Sequence, residues 1–218
     1  MILSPSETFF KSLSLYVITD RKLVDGAQFL SALENALKAG ARCIQLREKD
    51  LNDEDLCALA REVKKRIDAY QGFLFINDRA DLAQELGATG VHLTETSLPV
   101  GEVKKKYPEL KIGVSTHSLE RARDVEAQGA DFITYGPVYA TPSKMKYGPP
   151  QGIDRLSEVV HNTSLPVLAL GGVKVSNLAE IKKTGAHGIA LISAIWAGPD
   201  IYKNTLEFSN ILLRGQDS

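Results

Sequence analysis

The residues Gln45-Leu46-Arg47-Glu48-Lys49-Asp50 follow the short, largely apolar run Ala41-Arg42-Cys43-Ile44, and set a neutral hydrogen bonder beside two cations and two carboxylates. At the exit of a buried strand such a cluster suits a phosphorylated ligand. Arg47 offers phosphate oxygens a planar fork, and Lys49 and Lys144 offer compact charges. Asn77 and Ser115 could supply directional hydrogen bonds, and His117, two residues beyond Ser115, could exchange a proton near neutral pH. Asp78, with water and a ligand phosphate, could hold magnesium, whereas nothing has the spacing of a zinc site. The pair Gly171-Gly172 and the segment Ile192-Ser193 could bind phosphate through backbone N–H groups. Any one of these residues is more often a solvated loop position. Their value depends on whether the chain brings them together.

The elements that would do so repeat. Glycine and alanine close similar segments at Gly40-Ala41, Gly87-Ala88, Gly129-Ala130 and Gly185-Ala186, each after a helical pattern and before a short apolar run. Glycine there caps the helix in the left-handed conformation, and the small residue lets the next strand pack closely. Strands are expected near Leu15-Ile18, Cys43-Leu46, Phe73-Ile76, Val91-Leu93, Ile112-Val114, Phe132-Tyr135, Val167-Leu170 and Ile189-Ile192. Helical patterns lie between them, the clearest over Asp53-Tyr70, with Asp53 as N-cap and Leu56, Leu59, Ala60, Val63 and Ile67 on one face. Alternation of this kind predicts a single domain over residues 1–218, a compact TIM-type (β/α)8 barrel with its site on the C-terminal rim of the strands. An open doubly wound sheet lacks its glycine fingerprint after the first strand.

The bulk numbers agree with a small-molecule protein. A formal net charge of −1 on 218 residues excludes a general electrostatic role on nucleic acid or on a membrane surface, and no apolar run is long enough to span a bilayer. No secretion signal is legible at the start of the sequence, so a cytoplasmic setting is expected, with Cys43 and Cys57 as thiols. Cys43 reads as a core residue, His92 as a hydrogen-bonded core histidine, and His161 and His187 as packing or solvent positions. The long Gly- and Pro-containing segment 136–151, carrying Thr141-Pro142-Ser143-Lys144, reads as a binding loop or lid.

The motifs Gln45-Leu46-Arg47-Glu48-Lys49, Asn77-Asp78-Arg79, Gly90-Val91-His92-Leu93, Gly113-Val114-Ser115-Thr116-His117, Gly136-Pro137-Val138-Tyr139 and Gly171-Gly172-Val173 together resemble the thiamine phosphate synthase family, which has a related thiazole tautomerase branch. The resemblance runs from Tyr16 through Ile195. It implies a transferase that couples an aminopyrimidine methyl diphosphate to a thiazole phosphate and releases pyrophosphate with Mg2+. It further implies that Gln45, Leu46, Arg47, Glu48, Lys49 and Asn77 hold the pyrimidine diphosphate, and that Ser115 and Lys144 meet the pyrophosphate. Thr141, Pro142, Ser143, Gly172, Ile192 and Ser193 would hold the thiazole phosphate, and Asp78 the metal. A homo-oligomer is compatible with it. After Leu93 the family pattern runs Gly-Gln and an acidic pair, but this chain reads Thr94-Glu95-Thr96-Ser97, so Ser97 stands where the second metal ligand is expected. The tautomerase branch, with His117 as its proton-transfer residue, and a non-catalytic barrel that binds a thiamine-related phosphate are the alternatives.

Overall fold

In the computed structural model, which describes residues 4–141 and 149–213, eight parallel strands close into a barrel in sequence order. The strands are β1 Leu15–Ile18, β2 Cys43–Leu46, β3 Phe73–Asn77, β4 Gly90–Leu93, β5 Lys111–Thr116, β6 Phe132–Tyr135, β7 Val167–Leu170 and β8 Gly188–Leu191. Closure runs through β8 and β1, where Leu15 pairs with Ile189 and Val17 with Leu191. The helices α2 Phe29–Lys38, α3 Asp53–Ala69, α4 Ala80–Glu85, α5 Val100–Lys106, α6 Leu119–Ala127, α7 Gly152–His161 and α8 Leu178–Lys183 follow β1 to β7 in turn. Beyond β8 come α9 Ser193–Trp196 and α10 Ile201–Leu213. The expected barrel is therefore the observed one, with strand ends displaced by no more than two residues.

One local expectation needs correction. The cap of α3 is Asn52, whose side chain accepts from the Asp55 N–H; Asp53 is the first helical residue, where a carboxylate favours the positive end of the helix. Ahead of β1 lies a further helix, α1 Pro5–Leu13, started by a reciprocal capping box between Ser4 and Glu7 with proline at its first turn.

Alternation along the strands divides the core into two layers. Outward residues such as Val17, Ile44, Ile76, Val91 and Ile133 pack with the helices. Inward residues Tyr16, Cys43, Phe75, Phe132, Leu168 and Ala190 fill the lumen, together with Phe9 and Leu13 of α1. Phe9 meets Phe73 edge-on at 5.2 Å and Lys111 Nζ lies 4.9 Å from its ring, so α1 seals the N-terminal end of the barrel. Above it, the rings of Tyr16, Phe75 and Phe132 meet pairwise near the perpendicular at 5.2–5.7 Å, which makes an aromatic floor. Room for that floor depends on Gly113, because a Cβ there would stand 2.3 Å from Phe132 Cζ and 2.7 Å from His92 Nδ1.

Candidate active site

The same parity places Gln45, Asn77, His92, Ser115 and Thr134 on the lumen face at the mouth, above the aromatic floor. Four of them join Tyr16 in a continuous chain. Gln45 Nε2 donates to Tyr16 Oη at 3.2 Å, Tyr16 Oη meets His92 Nδ1 at 3.2 Å, and His92 Nε2 meets Ser115 Oγ at 3.1 Å. Thr134 Oγ1 adds a long contact of 3.4 Å to the same Ser115 oxygen.

His92 is fully enclosed, and that burial, helped by the nearby Arg47 charge, pushes its imidazole down to about 3, so it is neutral at every working pH. The sign of the linkage follows. Between the ordinary value of 6.5 and about 3, the unfolded chain binds a proton here and the folded chain does not, so stability is full above this window and falls as the pH is lowered through it. Relative to His92→Gln, the wild-type chain should lose about 2 kcal/mol between pH 7 and pH 5. Urea unfolding of both proteins at the two pH values measures the difference; parallel profiles would contradict a buried neutral imidazole.

Arg47 is positioned from below. Its backbone N–H donates to Thr19 Oγ1 at 2.9 Å, and the Thr19 hydroxyl donates to Glu48 Oε1 at 2.6 Å. Glu48 also accepts from the Arg21 N–H at 3.1 and 3.2 Å, and its carboxyl is raised by burial against the opposing pull of these bonds. Thr19 thus acts as a brace that sequence reasoning missed, since a threonine after an apolar strand carries no chemical signal of its own. The Glu48 side chain turns toward the β1 exit and braces the loop, and the Leu46 side chain belongs to the outer apolar layer, which leaves its backbone for a ligand at the mouth.

The rim charges divide sharply. Arg21 and Lys22 pair with Asp50 at 2.8 and 3.3 Å, and Arg79 is held by Asp53 and Asp81. The half-buried Arg47 and the exposed Lys49 pair with no carboxylate among the described residues. Asn77 Oδ1 is a buried acceptor without a partner among the described residues, a group that costs about 1–3 kcal/mol unless something donates to it. Unpaired cations and an orphaned acceptor at one mouth are what an anionic ligand with N–H or O–H donors would satisfy. A groove of about 280 Å3 between α2 and the start of α10 has no cation in its lining, so the mouth is the better candidate.

Asp78 follows β3 in a left-handed turn (φ 67°), uncommon for a residue other than glycine, with its N–H on His92 O at 2.9 Å. The Ser97 hydroxyl is engaged locally. Its Oγ accepts from Thr94 N at 2.7 Å and lies 3.1 Å from Thr94 Oγ1, closing its own turn. Among the described residues no three acidic, histidine or cysteine side chains gather. Magnesium is held by one or two carboxylates plus substrate phosphates, so Asp78 fits a metal that shares its shell with a diphosphate, and Ser97 in this turn does not fit as a second ligand.

His117 lies across the mouth with Nδ1 in a short contact to Gly136 O. A carbonyl can only accept, so Nδ1 carries a proton, and in the neutral ring Nε2 is the basic nitrogen. Beside it, the β6 exit is stitched to β7: Val138 N donates to Leu170 O at 2.9 Å and Tyr139 N to Gly171 O at 3.0 Å. Gly172 (φ +66°) fits against Tyr139 and Ala140, and its carbonyl is held by Asn177 Nδ2 at 3.1 Å. Ile192 caps α9 and Ser193 begins it, while the Trp196 indole donates to Ile18 O at 2.7 Å and fixes this turn to the β1 exit. Thr141 is the last described residue before the gap; Pro142, Ser143 and Lys144 lie outside the described residues.

A family model described as thiamine monophosphate synthase matches residues 15–195. A Geobacter sulfurreducens relative, provisionally named a thiamine-phosphate synthase, is 49% identical over 188 residues, 86% of this chain and 88% of its own. The thiamine-phosphate synthase of Methanospirillum hungatei is 34% identical over 200 residues, covering 91% of this chain and 97% of its own. Among solved structures, the thiamine phosphate pyrophosphorylase of Pyrococcus furiosus superposes with a TM-score of 0.86 at 34% identity, over 94% of this chain and 98% of that one.

Proposed function

We infer that this chain, which belongs to the thiamine monophosphate synthase family, joins an aminopyrimidine methyl diphosphate to a thiazole phosphate, giving thiamine phosphate and pyrophosphate. The observation that carries this reading is the mouth itself, where Arg47 and the Asn77 acceptor, both without a partner among the described residues, face the same lumen as Ser115. The carbon–oxygen bond to the diphosphate breaks with both electrons leaving on pyrophosphate, and the thiazole nitrogen supplies the pair for the new carbon–nitrogen bond. Negative charge grows on the leaving group, and Arg47, Lys49 and the Ser115 hydroxyl stabilise it in a mouth screened by the aromatic floor. Asn77 orders the pyrimidine end by accepting from its amine. Gly172, Ile192 and Ser193, with Thr141, Pro142 and Ser143, would take the thiazole phosphate, and Lys144 would meet the pyrophosphate. Asp78 would hold a Mg2+ ion, which would supply charge neutralisation at the diphosphate.

A second reading has its own observation, the contact of His117 Nδ1 with Gly136 O, which leaves Nε2 as the basic nitrogen of the neutral ring. A base there suits proton transfer in a thiazole carboxylate phosphate, as in the tautomerase branch. Incubation with both synthase substrates and Mg2+, and separately with the thiazole carboxylate tautomer, separates the cases. Thiamine phosphate is the expected product; tautomer conversion alone, or binding without either product, would displace the synthase reading. With the synthase reading, Ser97→Asp exchanges the hydroxyl held by Thr94 for a longer carboxylate free to join Asp78 on the metal, and should lower the magnesium concentration at half-maximal rate by about tenfold. A magnesium titration unchanged by the substitution would count against the weak metal site.

A further inference from the structure

The lumen chain from Gln45 to Ser115 has a direction. Gln45 Nε2 can only donate, so the Tyr16 oxygen accepts there and its own proton is left for His92 Nδ1. A neutral imidazole that accepts at Nδ1 carries its proton on Nε2 and donates it to Ser115 Oγ. Thr134 Oγ1 approaches the same oxygen as a second donor. Both lone pairs of Ser115 are then engaged, and no described residue accepts the Ser115 proton. Tyr16 cannot break the sequence by ionising, because burial raises its phenol well above its ordinary value.

We propose that Gln45, Tyr16 and His92 form a one-way hydrogen-bond relay that makes Ser115 a donor toward the ligand, with His92 a positioning residue held in its Nε2–H tautomer. Neither Tyr16 nor His92 touches substrate in this scheme; both are sealed under the mouth at no more than 1% exposure. The gain is orientation. A serine whose proton can point only outward meets a phosphate oxygen without reorganising as charge develops on it, and it opposes a ligand that presents a donor there. The Cβ-free Gly113 beside Nδ1 lets the imidazole stand upright between Tyr16 and Ser115. The link to leaving-group stabilisation rests on the synthase reading, whereas the tautomer does not.

Long-range proton–nitrogen spectra of the unliganded, 15N-histidine-labelled chain at pH 6–8, assigned by the signals lost in His92→Gln, read the relay directly. The expected result is one set of His92 signals with Nε2 protonated and Nδ1 bare. A proton on Nδ1, which would mean that Gln45 accepts through Oε1 and the chain runs backward, or an averaged pair of tautomers, would overturn the proposal. Tyr16→Phe tests its consequence at the reaction: kcat should fall about tenfold, the rate equivalent of one hydrogen bond, with KM for the diphosphate within about twofold. In a Ser115→Ala background the same substitution should cost nothing further; an equal loss there would mark Tyr16 as merely structural. If no thiamine phosphate forms with any variant, the synthase reading fails and the spectra still decide the relay.

Discussion

Arg47→Ala should reduce kcat/KM for the pyrimidine diphosphate by about 10²- to 10³-fold, the range typical of losing one preorganised donor to developing charge. The guanidinium is half-buried at the mouth, has no described carboxylate partner, and is aimed by the sequence of bonds from its own N–H through Thr19 to the buried Glu48. Removing it leaves a diphosphate facing Lys49, a more exposed point charge, and neither the planar fork nor the fixed aim is replaced. Arg47→Lys should therefore recover only a minor part of the rate. KM for the thiazole phosphate should stay within about twofold, because that ligand is assigned to the β7 and β8 exits. Steady-state rates of thiamine phosphate formation with each substrate varied in turn measure all three quantities. Wild-type rates in Arg47→Ala would remove Arg47 from the reaction.

The Thr19–Glu48 brace also shows where sequence reading stops. All eight strands were legible because a parallel barrel strand is apolar on both faces, and runs such as Val167-Leu168-Ala169-Leu170 have no other stable use between helices. Contiguity misled at the finer scale. In Gln45-Leu46-Arg47-Glu48, strand parity sends Leu46 to the helices while Gln45 faces the lumen, and Glu48 turns to Thr19, so a motif of neighbours in sequence is not a wall of neighbours in space. Ser97 departs visibly from the family pattern, but that its hydroxyl is consumed by Thr94 depends on turn geometry. The relay was invisible for a different reason. Tyr16 and His92 are 76 residues apart and each looks like ordinary core, so only closure of the barrel shows that they share a proton. By contrast α1 was legible in principle, from Ser4-Pro5 and Glu7 at capping-box spacing.

Gly172→Ala should divide the two substrates in the opposite sense to Arg47→Ala. An added Cβ would lie 2.6 Å from Tyr139 Cβ and 2.9 Å from Ala140 O, at a backbone angle of +66° that an L side chain rarely adopts. The left-handed conformation costs about 1–2 kcal/mol and the overpacking about 1–3 kcal/mol more. Relief can come only by pushing the β6 exit away from β7, since Tyr139 N is bonded to Gly171 O at 3.0 Å and Asn177 holds Gly172 O. That movement opens the assigned thiazole-phosphate side and leaves Arg47 and Asn77 in place. KM for the thiazole phosphate should rise by at least about tenfold, with KM for the diphosphate within about twofold. Gly185→Ala is the matched control: its φ is +80°, but its added Cβ would meet only Val160 Cγ1, at 3.4 Å, far from the mouth. It should lower stability by about 1 kcal/mol and leave both KM values alone. Unfolding curves establish that each variant is folded before its kinetics are read. Equal rises in both KM values for Gly172→Ala would mean that the β6–β7 stitching shapes the whole mouth, and the division of the rim into a diphosphate half and a thiazole half would fall.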